Sequence, residues 1–147
     1  MSDSGFDMGL EDVGQAGVYG VAHGDLGGLA AAARDAGLKV LRVDLESCTD
    51  KRTLLLRIGT QLDFPAGWSR NWDALSDALR DLSWLPANGY VPLFGDAGDL
   101  RQASPADFDT LLDILAEAAA SWAGDNVPFW AFFELPGGGG AGDPGDA

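Results

Sequence analysis

Apolar residues along the chain change their period several times, and each change marks a switch between strand and helix. Gly17-Val18-Tyr19-Gly20-Val21 is a short strand candidate. Asp25 can cap an alanine-rich helix over 26–36, which Gly37 ends. Residues 38–45, LKVLRVDL, alternate apolar and polar side chains, the period of a strand with one buried face. Thr49 or Asp50 can cap a helix over 51–62 that stops at Asp63-Phe64-Pro65, and Ser69 or Asn71 a helix over 72–83. The turn Pro86-Ala87-Asn88-Gly89 precedes a strand at 90–94, and a turn at Gly95-Asp96 leads to a short helix near 97–102. Ser104-Pro105 opens a long helix over 105–123, with Pro105 in the first turn, where its missing N–H costs nothing. Gly124-Asp125 closes that helix. The run 127–135, VPFWAFFEL, is almost wholly apolar and reads as a strand buried on both faces.

Strands separated by helices predict an α/β fold with a small, mostly parallel sheet of three or four strands packed by helices. Residues 16–135 form one domain in this reading. Its first strand and helix, 17–36, are an extra N-terminal unit whose simplest role is to protect a sheet edge. Residues 1–15 read as a flexible lead-in. Residues 136–147, PGGGGAGDPGDA, carry no side chain that can bury enough surface to offset ordering entropy, and read as a disordered tail. The four glycines there lack the strand-to-helix context and the lysine of a phosphate cradle.

Charge narrows the function classes. Nine basic residues stand against 23 acidic ones, a formal net charge of -14. Such a field disfavours direct binding to nucleic acid or to anionic membranes and favours cationic partners, although acidity by itself identifies none. Cys48 is the single cysteine, so no internal disulfide can form and a reducing compartment fits. The first residues lack a signal-peptide pattern, and no apolar run approaches the roughly 20 residues of a membrane helix. A cytoplasmic protein without a cofactor is the expectation.

The most informative stretch is 68–84, WSRNWDALSDALRDLSW. At roughly 100° per residue, Trp72, Leu75, Leu79 and Leu82 share one stripe, the face expected on the sheet. Asp73 and Asp77, four apart, lie together on another face. Arg70 and Arg80 stand three residues outside them, so a locally paired, solvated helix face accounts for the charge pattern as it stands.

The order of residues adds to this. Phe64-Pro65, an aromatic loop, then Asn71-Trp72-Asp73-Ala74-Leu75-Ser76-Asp77-Ala78-Leu79 resembles the diagnostic region of the barstar family. The element order extends the resemblance over about residues 38–135. It implies an inhibitor that forms a 1:1 complex with a small, basic, secreted microbial ribonuclease and inserts this helix and its preceding loop into the active site. By position, Asp77 takes the place of the substrate phosphate, Asp73 supplies a supporting charge, and Glu117 on the long helix a further contact. Trp68, Asn71 and Ser76 complete the implied contact set, with Trp68 either a stacking surface or a core residue. The sequence also departs from the family pattern. The loop Ala66-Gly67-Trp68-Ser69-Arg70 has one aromatic, a shifted glycine and a cation, Ser76 replaces a bulkier neighbour, and Arg80 follows the phosphate-mimicking position.

Catalysis is a weaker reading. His23 is the only histidine and sits in a turn, and Cys48 would need it as a base. No Cys/His cluster with metal-ligand spacing occurs. A non-catalytic interaction module with a non-nuclease partner is the main alternative, and a nucleic-acid mimic a third.

Overall fold

The computed structural model describes residues 10 and 12–136 of the 147. Most of the expected lead-in and nearly all of the expected tail lie outside the described residues. Within the lead-in, Leu10 is buried and its carbonyl accepts the Trp130 indole N–H at 2.8 Å, and 13–15 form one 3-10 turn. This part of the lead-in packs on the domain.

Four strands, β1 (Val18–Ala22), β2 (Lys39–Asp44), β3 (Tyr90–Gly95) and β4 (Ala131–Leu135), form an all-parallel sheet in the order β1-β4-β3-β2. Five helices connect them: α1 (Leu26–Asp35), α2 (Lys51–Gln61), α3 (Trp72–Asp81), α4 (Gly98–Ala103) and α5 (Pro105–Gly124). The expected α/β class, parallel sheet and element order are therefore those observed.

Burial follows the strand periods. In β2, Leu41 and Val43 are buried while Lys39, Arg42 and Asp44 are exposed, as its alternating sequence requires. In β4, Ala131, Phe133 and Leu135 join the large core under α2, α3, α4 and α5, and Phe132 with the preceding Trp130 joins a smaller one on the other face. Phe94 stacks on Phe133 at 4.5 Å between ring centroids, and Phe108 of α5 meets Phe133 edge-on.

Two details differ from the sequence expectation. The regular part of β4 starts at Ala131 rather than near 127, because Pro128 has no N–H and only Phe129 bridges to Tyr90 before the ladder begins. Pro92 sits inside β3, an interior strand. The β3–β4 pairing accordingly skips from the Tyr90–Phe129 bridge to Leu93–Phe132, while the β2–β3 register runs unbroken past Pro92.

The N-terminal unit does more than guard an edge. β1 pairs with β4 at one edge, and α1 packs over the second face of the sheet. There Leu26, Leu29, Ala30 and Ala33 bury Val91, Leu93, Trp130 and Phe132. Without α1, a face carrying two large aromatic side chains would meet water.

Candidate functional site

The loop 62–71 and the start of α3 are shaped by backbone geometry. Asp63, Gly67 and Arg70 have φ of 58°, 88° and 44°, left-handed positions that fold the loop back on itself. Asn71 ends it in an extended conformation, and its Oδ1 accepts the Ala74 N–H at 2.7 Å. Of the two possible caps, Asn71 is the one used; its carboxamide oxygen is committed to the helix.

Trp68 is half-buried. Its ring meets Phe64 edge-on at 4.8 Å, and Phe64 meets Trp84 at 5.3 Å, whose indole N–H donates to the Leu62 carbonyl. The indole also lies against Gly59 of α2, where a β-carbon would come within 2.5 Å of Nε1. Trp68 is therefore neither a fully buried core residue nor a free one: its ring packs in an aromatic cluster, and part of it stays accessible to solvent.

On α3 the stripe of Leu75, Leu79 and Leu82 is buried, and Trp72 is half-buried at its margin. Lys51 of α2 lies over the Trp72 ring, its Nζ 5.5 Å from the centroid. Asp73 and Asp77 are exposed and point away from the core. Asp77 is engaged locally: its carboxylate accepts from Arg80 Nη2 at 2.8 Å, with the two side chains 78% and 46% exposed, and Arg80 Nε reaches the Ser76 carbonyl. Ser76 is half-buried. Glu117 stands exposed on α5, the helix packed against α3, where the Trp122 indole donates to the Leu79 carbonyl at 2.8 Å. Among the described residues no hydrogen bond or ion pair joins Glu117 to α3. α3 and its loop therefore hold Trp68, Asn71, Asp73, Ser76 and Asp77 on one continuous segment, with Glu117 on the neighbouring helix.

A second polar group, not anticipated from the sequence, sits at the carboxyl ends of the strands. Glu134 of β4 accepts the Gly24 N–H at 2.8 Å and the Asp96 N–H at 3.1 Å, and lies 3.3 Å from His23 Nδ1. Its carboxyl is held below the ordinary range, first by the Gly24 hydrogen bond and then by Asp96, His23 and Arg42, with burial working in the opposite direction. A single charged residue in the apolar run 127–135 was the available signal. His23, Asp96 and Glu134 can bring ligand atoms within 4.8 Å of one another, as can Asp44, Glu46 and Asp96. Both Glu134 oxygens already serve backbone N–H groups, and Asp44 accepts the Glu46 N–H. These carboxylates brace turns, a sufficient reason for their placement.

The nucleophile reading of Cys48 meets a different environment. The thiol is fully buried in the core beneath α2, and burial pushes its pKa up, whereas the His23 side chain is 79% exposed. A 620 Å³ groove along Gly37, Leu38, Lys39, Pro86, Ala87 and Asn88 offers one charged group and no acid–base pair. No helix among the described residues is long and apolar enough to cross a membrane.

Comparison with known proteins agrees with the segment that the sequence singled out. No curated protein matches the chain. Among solved structures, the Aeropyrum pernix ORC2 protein in its ADPNP–ADP complexes is similar at 20% identity with a TM-score of 0.49. The match covers 82% of this chain and 35% of that one, too weak a likeness to carry an argument. The family model for barstar, the barnase inhibitor, matches residues 38–134, which span β2 to β4 and include the whole α3 segment, and the chain belongs to the barstar family.

Proposed function

We propose that this protein is a non-catalytic inhibitor that binds a small, basic, secreted ribonuclease 1:1 and covers its active site with the 62–71 loop and α3. The observation that carries this reading is the pair of exposed carboxylates, Asp73 and Asp77, on a helix capped by Asn71 within the family-matched segment. A carboxylate accepts paired hydrogen bonds from a guanidinium much as a phosphate does, so Asp77 can occupy the place of a scissile phosphate. Asp73 and Glu117 add charge around it, and the open side of Trp68 supplies a stacking surface.

The Asp77–Arg80 pair is compatible with this role. An exposed pair at this spacing is worth only about 0.3–0.5 kcal/mol, so an arginine of the partner displaces Arg80 at little cost. Arg80 meanwhile keeps the carboxylate oriented before binding. An inhibitor of this kind acts in the cytoplasm of the cell that makes the nuclease.

The test uses the purified full chain with barnase and with the barnase-type ribonucleases encoded in its own genome. Inhibition of RNA cleavage with 1:1 stoichiometry is expected for at least one of them. Truncating one partner of a buried, hydrogen-bonded charge pair costs about 2–5 kcal/mol, a range in which the barnase–barstar pair is itself a reference case. Asp77→Ala should therefore weaken that complex about 30-fold or more, and Asp113→Ala on the exposed face of α5 should leave it unchanged. If no such nuclease is bound, the scaffold serves a partner of another kind.

A further inference from the structure

The helix that precedes the docking loop, α2, carries Lys51, Arg52 and Arg57 and no acidic residue, in a molecule that is otherwise acidic. Residues 51–80 contain five of the nine Lys and Arg side chains and only three acidic ones, within a chain of net charge -14. Arg57 is used internally, donating to the Asp44 and Glu46 carbonyls, and Arg80 pairs with Asp77. Lys51, Arg52 and Arg70 form no ion pair among the described residues. They surround Leu56, a large apolar side chain left 46% exposed, and with Leu55 they line a 350 Å³ depression. Arg70 also lines the adjoining 370 Å³ depression beside Trp68, and Lys51 reaches over Trp72, so this patch is continuous with the docking loop and with α3.

We propose that Lys51, Arg52, Arg70 and Leu56 form a second contact area of the docking surface, which receives an acidic segment of the partner protein carrying an apolar side chain at its centre. This inference rests on the inhibitor reading and adds the partner's chemistry to it: the nuclease must bear a carboxylate patch beside its basic active site. Charge complementarity selects the occupant. Three cations without an ion pair among the described residues, set around an exposed leucine, match carboxylates around an apolar side chain, and they repel the uniformly basic surface that net charge alone would suggest. A nucleic-acid occupant is disfavoured by the strongly negative remainder of the chain.

The sign of a charge reversal decides the matter. The probe is the ribonuclease inhibited most strongly by the full chain, and the variants are Arg52→Glu combined with Arg70→Glu, Leu56→Ala, Asp77→Ala and the remote control Arg101→Glu. Circular dichroism confirms that each is folded. Surface plasmon resonance should show the double reversal and Leu56→Ala dissociating at least tenfold faster, and Arg101→Glu dissociating at the wild-type rate. A double reversal that leaves affinity unchanged or tightens it, while Asp77→Ala still abolishes binding, overturns this inference and leaves the inhibitor reading standing. Wild-type complexes indifferent to Asp77→Ala, or no complex at all, overturn both. Binding of a single-stranded uridine oligonucleotide that is lost in the double reversal would assign the patch to nucleic acid and overturn the protein-partner reading.

Discussion

At Gly59 the indole of Trp68 occupies the space that a side chain would need. A β-carbon there would lie 2.5 Å from Nε1 and 2.7 Å from Cζ2, well inside contact distance, and Phe64 meets the same ring edge-on at 4.8 Å. A glycine inside α2 costs about 1 kcal/mol in helix propensity, so the position trades helix stability for a seat for the loop tryptophan. Gly59→Ala regains that propensity but must push out a rigid ring, at about 1–3 kcal/mol. A lower urea midpoint is expected, together with a shifted Trp68 indole resonance and faster dissociation from the nuclease; an unchanged midpoint with an unmoved indole would refute the account. The residue types were legible here. Ser69 and Asn71 were both legible as caps from their side chains, because capping is local chemistry, and the backbone conformation decided for Asn71. The role of Gly59 was not legible, since Trp68 lies nine residues away across a turn whose left-handed positions include Asp63, which is not a glycine.

At the level of elements, Glu134 ties together three pieces of chain. It joins the end of β4 to the turn between β1 and α1 through Gly24, and to the turn between β3 and α4 through Asp96. The Gly24 hydrogen bond is the largest cause of its lowered pKa. A carboxyl group with a folded pKa below its unfolded value, about 4.3 for Glu, contributes stability that is complete above the unfolded value. That contribution is lost as pH falls through the folded pKa. Glu134→Gln should therefore be less stable than wild type at pH 7 by about 1.5–3 kcal/mol, the worth of hydrogen bonds to a charged group. The gap should begin to narrow as pH falls below the unfolded value of about 4.3, and be smaller at pH 3.5 than at pH 7. Parallel urea titrations at pH 7 and pH 3.5 measure it, and a gap independent of pH would mean that the carboxylate charge plays no part. Element order and type followed from periodicity, including the alternation in β2 and the doubly buried run ending in β4. The start of β4 and the broken β3–β4 ladder did not, because both depend on which neighbour a proline faces.

For the whole molecule, charge acts at two ranges. In the proposed complex the net charge of -14 would attract a basic nuclease from a distance, while the local excess of cations between residues 51 and 80 would act only at contact. Association should therefore slow steeply as salt rises from about 0.01 to 0.15 M, where the screening length falls from about 30 to 8 Å. Dissociation, which the proposal assigns to desolvated pairs such as that of Asp77 and to the patch around Leu56, should change far less. Stopped-flow association against surface-plasmon dissociation separates the two, and salt-independent association would show that net charge plays no part in encounter.

Fold class, element order, the Asn71-to-Leu79 motif and the family could all be read along the chain, because hydrophobic period, capping and residue order are local properties. Long-range packing alone sets α1 as the roof of the second sheet face, clasps Glu134 to two turns more than 30 residues away in sequence, and gathers Lys51, Arg52 and Arg70 around Leu56. Those facts depend on the strand order β1-β4-β3-β2 and on the folded-back loop, which bring distant residues together through long-range packing that no local pattern encodes.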